Sequence, residues 1–133
     1  MSDARLDLFT QCINLFRIYI TTKEGRIITT KEFNSVFDEQ VVLCSDILQR
    51  KTKEYTVENT DRLSAFKTAA ALQNGTPQQA LAGMLAKHIV SLYDMCFSEG
   101  MSYSLDTWNE KITDSLNYLF LLKAIVKEEH KHK

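Results

Sequence analysis

The segment from Pro77 to Phe97 is apolar almost all the way round a helix, and this constrains the chain more than any other feature. At helical spacing Leu81, Met84, Leu85, Ile89, Leu92, Met95 and Cys96 form a broad apolar face. Val90, Tyr93 and Phe97 fill most of the opposite side. Only Lys87, Ser91 and Asp94, at i, i+4 and i+7, break the pattern, and they fall close to one line. A helix of this kind is expected to be buried by its neighbours, and charges on it must then be paired or used. The seam of Lys87, Ser91 and Asp94 is therefore the first candidate site. The alternative is a polar contact between two helices.

The chain has 133 residues, which points to one domain spanning 1–133 with a core of its own. Its net charge is −1, and it carries no basic stripe, so an electrostatic nucleic-acid binder is not expected. The longest apolar run falls far short of a bilayer span and the N-terminus has no signal-peptide pattern. A cytoplasmic protein with no membrane partner is the expectation. Cys12, Cys44 and Cys96 are widely spaced among apolar neighbours and read as buried reduced thiols. No CxxC pair or glycine-rich phosphate loop is present. His88 falls within an apolar face and reads as a core histidine rather than a ligand.

Periodicity and capping signals predict an all-α bundle of about five helices. The first covers Ala4 to Thr21, with Leu6, Phe9, Ile13, Phe16 and Ile20 in phase, followed by a short extended piece at 26–29. A hairpin turning at Lys23-Glu24-Gly25 competes with that reading, because the helix end is rich in β-branched residues. Thr29-Thr30-Lys31-Glu32 opens the second helix with a capping box, and its apolar face lasts to Gln49. A polar connection, Lys51 to Asn59, is expected next. The third helix spans Thr60 to Gln73 and stops at Asn74-Gly75. Thr76, Pro77 and Gln79 start the fourth, and Gly100 ends it. Ser104 or Asp106 caps the fifth, which reaches Glu128 and leaves 129–133 as a frayed charged tail.

On the fifth helix Asp106, Glu110, Asp114 and Asn117 form a polar stripe opposite Trp108, Ile112, Leu116 and Leu119. Leu121 and Ile125 continue that polar stripe as apolar residues, so Asp114 and Asn117 are expected at the edge of a covered region. Glu110 and Asp114, at i and i+4, can converge on one cation, and Mg²⁺ there would suit pyrophosphate chemistry. The competing reading is an ordinary solvated acidic face.

The stretch from Ile47 to Glu128 resembles the phage and prophage family called nucleotide modification associated domain 1. The matching residues are Ile47-Leu48-Gln49-Arg50-Lys51, Lys53-Glu54-Tyr55, Arg62-Leu63, Phe66-Lys67 and Ala69-Ala70. They continue with Lys87-His88, Ser91 and Asp94, then Trp108, Glu110-Lys111-Ile112, Asp114 and Asn117-Tyr118-Leu119. That family is in turn distantly similar to the all-α MazG-type nucleotide pyrophosphohydrolases. The resemblance implies a helical, oligomeric protein that handles a nucleotide in the cytoplasm of a bacterial host. MazG-type enzymes ligate metal through an ExxE and an ExxD pair, whereas here Glu39 has no acidic partner three residues away. Glu110 and Asp114 are spaced by four, with Lys87 and Lys111 where acids would serve a metal.

Three functions follow from these readings. The first is a nucleotide-binding protein, acting by sequestration against host defence or in nucleotide modification. Its site would be Lys87, Ser91, Asp94, Glu110, Asp114 and Asn117, with Tyr55 as a stacking lid. The second is a Mg²⁺-dependent nucleotide pyrophosphohydrolase, and the third an interaction protein acting on a host protein. Apolar residues on more than one side of the first and fifth helices predict a homo-oligomer, a symmetric dimer being the simplest.

Overall fold

Local capping chemistry sets where the helices begin. In the computed structural model, which describes residues 2–22, 27–55 and 61–133, the order is α1 (Ser2–Thr22), α2 (Thr30–Tyr55), α3 (Ser64–Leu72), α4 (Pro77–Phe97) and α5 (Leu105–Lys131). No strand occurs among the described residues. Ahead of α2 the Thr29 hydroxyl accepts from the Glu32 N–H at 3.2 Å, and the Glu32 carboxylate accepts from the Thr29 N–H at 2.7 Å. That backbone hydrogen bond, reinforced by the Thr29 hydroxyl, holds the Glu32 carboxyl below its usual range. Thr76 and Gln79 make the same reciprocal pair at the start of α4, with Pro77 at the first helical position. Ser104, not Asp106, caps α5 by accepting from the Thr107 N–H at 3.1 Å.

Four boundaries depart from the sequence reading. α2 runs to Tyr55 instead of yielding to a polar connection at Lys51. Lys51, Lys53 and Glu54 are good helix formers, and the Thr52 hydroxyl bonds back to the Leu48 carbonyl at 2.8 Å. α3 starts late, at Ser64, because the Asp61 carboxylate turns the chain first by accepting from the Leu63 N–H at 2.9 Å. It ends as expected: Asn74 takes a positive φ of 51°, and the Gly75 N–H returns to the Ala70 carbonyl at 2.8 Å. α4 stops at Phe97 before Gly100, with Ser98 as its C-cap. The tail is helical to Lys131 rather than frayed from 129, since Gln78 Nε2 donates to Glu129 at 2.6 Å. Residues 27–29 have no regular structure, while Arg26 and the Lys23-Glu24-Gly25 turn lie outside the described residues.

The chain divides into two compact units, Met1–Phe37 and Asp38–Lys133, with the boundary inside α2. In the second unit α4 packs on both α3 and α5. Leu63, Phe66, Leu81 and Ile125 are buried together, with Met84, Leu85, Tyr118, Leu121 and Leu122 against them. Leu81 is fully buried, which is worth about 1.5–3 kcal/mol of transfer free energy. The part of α2 in this unit reaches α5 through Gln40, whose Nε2 donates to the buried Thr113 hydroxyl at 2.8 Å.

α4 is not covered all round. Its two neighbours shield one side, and Ile89, Val90, Tyr93 and Phe97 remain about half to two-thirds exposed. Tyr93 and Phe97 stack on each other on that open side, ring centroids 4.5 Å apart. In the first unit Leu6, Phe9, Ile13 and Phe16 lie along one side of α1 and Leu8 and Leu15 along another, all exposed. Cys12 and Cys96 are therefore exposed, against expectation, and only Cys44 is buried. No helix among the described residues is long and apolar enough to cross a membrane.

Candidate functional site

Three polar side chains on α5 are buried, and they differ in how they are satisfied. Thr113 accepts from Gln40, and the Ser115 hydroxyl donates to the Lys111 carbonyl at 2.8 Å. Asn117, only 6% exposed, has no hydrogen-bond partner for either Oδ1 or Nδ2. A buried amide in that state costs about 1–3 kcal/mol, so its retention calls for an explanation.

Asn117 lines a cavity of about 290 Å³ whose walls come from α2, the Arg62 turn, α3 and α5. Leu48, Ala65, Phe66 and Leu121 supply the apolar lining. Lys51, Arg62, Asp114, Asn117 and Tyr118 supply the polar groups. This is near the lower end of small-ligand pockets, with the usual mixture of apolar wall and a few convergent polar atoms. All these residues belong to the second compact unit.

The electrostatics centre on Asp114. Lys51 Nζ lies 3.9 Å from its Oδ1, and His88 Nδ1 lies 3.8 Å from its Oδ2. Both distances exceed hydrogen-bond range, so Asp114 is held by charge and keeps its lone pairs for a ligand. His88 also packs on the Tyr118 ring, centroids 5.0 Å apart. Burial pushes the His88 imidazole below its ordinary value; Asp114 opposes this, and Lys87, Lys111 and Lys51 add to the lowering. Burial, and then Asp114, push the Tyr118 phenol up. His88 is thus a neutral neighbour of Asp114 near pH 7, and Tyr118 stays protonated as a hydrogen-bond donor.

The structure brings together only part of the expected site. Asp114 and Asn117 line the cavity, the amide atoms of Asn117 lying behind its wall. Lys87 and Asp94 are exposed and Ser91 is half-buried on α4, and none of the three lines the cavity. The α4 seam was read as buried because the helix looked apolar all round; with one face open, its charges reach solvent. Glu110 is 65% exposed and its carboxylate meets Lys111 at 3.3 Å, away from the cavity lining. The side chain of Tyr55 lies outside the described residues.

That arrangement does not suit the Mg²⁺ pair drawn from the sequence. Glu110 is turned to Lys111, and Asp114 to Lys51 and His88. Among the described residues no group of three or more His, Cys, Asp or Glu side chains is placed to hold a metal ion. What the site can do chemically is bind: two cations, a carboxylate acceptor and a phenol line one partly apolar hollow.

Sequence reasoning passed over Lys51 and Arg62 as site residues and set His88 aside. Lys51 lies at i+3 from Leu48, one turn along the same face of α2, and the break assigned at Lys51 hid that relation. Arg62 had no signal beyond the resemblance that quoted it. No protein-family model, curated protein or solved structure matches this chain.

Proposed function

We propose that this protein binds a nucleotide in the cavity bounded by α2, α3 and α5. Lys51 and Arg62 supply the charge that holds the phosphate, and the base lies against the apolar wall of Leu48, Phe66 and Leu121 beside Tyr118. The observation that carries this reading is the meeting of two cations, Lys51 and Arg62, with an apolar wall and the Tyr118 ring in one hollow. Phosphate supplies what Arg62 and Lys51 are suited to hold, a planar fork and a point charge respectively. The same residues, Lys51, Arg62, Asp114 and Asn117, are among those that resemble a nucleotide-handling family. Binding is favoured over hydrolysis because Asp114 faces Lys51 and His88 rather than a second carboxylate.

A thermal-shift titration with nucleoside mono-, di- and triphosphates, with and without Mg²⁺, tests this. Ligand at about 100 times Kd contributes about 2.7 kcal/mol to stability. The expected result is a metal-independent rise in Tm that Arg62→Ala and Lys51→Ala reduce. A flat response across the panel overturns the reading.

The protein is further proposed to act as a homodimer through α1. Four large apolar side chains along one side of that helix, Leu6, Phe9, Ile13 and Phe16, are 47–71% exposed. Together they offer on the order of 400 Å² of apolar surface, within the range of the largest patches that monomers leave open and about half of the ~800 Å² a partner contributes to a standard interface. A second copy supplies a face of the same chemistry about a two-fold axis.

A further inference from the structure

We propose that the open side of α4 is a second self-association surface, on which α4 of another copy packs antiparallel about a two-fold axis near Val90. It uses residues other than those of the cavity and of α1, so it is tested separately from both. Ile89, Val90, Tyr93 and Phe97 are 47–68% exposed on a helix whose other side is covered by α3 and α5. They offer on the order of 400 Å² of apolar surface, about half of the ~800 Å² a partner contributes to a standard interface. The exposed Ala82, Gly83 and Ala86 continue the same side toward the start of the helix.

Gly83 has no reason within the chain to be glycine. In a helix interior glycine is disfavoured against alanine, and a Cβ at this position would meet no atom within 4 Å. The space it leaves open faces out of the chain. α4 is graded as a self-pairing requires, with small residues on this side of its first half and large ones on its second. An antiparallel partner turned about Val90 sets Phe97 of each copy level with Gly83 of the other, so each ring meets a position that has no side chain.

The charges obey the same symmetry. Lys87 and Asp94 are exposed, lie on one flank of the apolar side, and have no ion-pair partner among the described residues. In the antiparallel pair each Lys87 comes level with Tyr93 of the other copy, next to its Asp94, so one contact repeated by the two-fold gives two ion pairs. A parallel pair in register would set lysine against lysine and aspartate against aspartate. The polar seam that interrupts this apolar helix thus fixes the order in which two copies meet. With α1 as the first dyad, a second one takes the assembly from two copies to four.

Sedimentation velocity of the full chain carrying Phe9→Asp and Phe16→Asp, at about 100 μM, tests this with α1 removed as a contact. A dimer is expected. Lys87→Glu breaks both ion pairs at once and should weaken that dimer by about 2- to 30-fold in Kd, and adding Asp94→Lys should restore it. Gly83→Leu should abolish the dimer while raising Tm in dilute solution by about 2–4 °C, because the new side chain improves the helix and fills only the partner's space. A monomer in the α1 variant, or a dimer that Gly83→Leu leaves intact, overturns the pairing. A double reversal that associates no better than Lys87→Glu alone overturns its antiparallel order.

Discussion

Replacing Asn117 by leucine should stabilise the protein and leave its ligand response in place. The side chains share their branching and heavy-atom count, so no cavity opens and the overpacking from the larger methyl groups is the only strain introduced. Asn117 is 6% exposed with two unpartnered polar atoms, and removing that penalty returns about 1–3 kcal/mol. For a chain of this size each kcal/mol moves Tm by about 4 °C, so a rise of roughly 4–12 °C is expected. The assay is thermal unfolding followed by circular dichroism, run without ligand and then with saturating nucleotide. The unaltered protein should melt lower alone and gain on ligand addition; Asn117→Leu should melt higher alone and gain as much. A variant that melts several degrees lower than the parent would show that Asn117 makes structural hydrogen bonds and refute the reasoning.

Other perturbations have equally definite outcomes. Because burial lowers the His88 pKa on folding, the unfolded chain takes up the proton first as pH falls through about 6.5. Stability is then full above that pH and declines below it until the folded protein also protonates, at up to about 1.4 kcal/mol per pH unit. His88→Asn should flatten urea midpoints measured between pH 5 and 7.5, although Asp114, Lys51, Lys87, Lys111 and the Tyr118 ring all remain around it. Leu81→Ala, at a fully buried position in the α3–α4–α5 core, should cost about 2–5 kcal/mol, read as a lower urea midpoint at unchanged m-value. If α1 forms the proposed dimer interface, Phe9→Asp combined with Phe16→Asp should remove one association step in sedimentation velocity, halving the mass at which the unaltered protein sediments. An unaltered sedimentation coefficient would exclude α1 as the interface.

Much of the fold was legible because helix starts are written locally. Thr29 with Glu32, and Thr76 with Pro77 and Gln79, announce their helices in four residues each, and the structure forms both capping boxes. The α5 stripe was also legible to the point of placing Asp114 and Asn117 at the edge of a covered region. What periodicity cannot supply is the identity of the covering element. Asp94 and Asp114 each occupy a polar stripe of an otherwise apolar helix, yet α3 and α5 leave the first in solvent while α2 and α3 enclose the second. Lys51 was hidden for a different reason: the end of an α-helix without a glycine or proline is set by weak propensities, and α2 continued nearly two turns past its apolar face. Arg62 enters the site through a turn fixed by Asp61, a long-range consequence that no local pattern carries.

The most direct test of nucleotide binding at this cavity is the side-chain amide of Asn117 itself. In a ¹⁵N–¹H correlation spectrum, assigned by comparison with Asn117→Leu, its NH₂ pair, just behind the cavity wall, should shift as nucleotide is added. Shifts that leave Asn117 untouched and appear instead around Lys87, Ser91 and Asp94 would move the site to the open face of α4 and contradict the account.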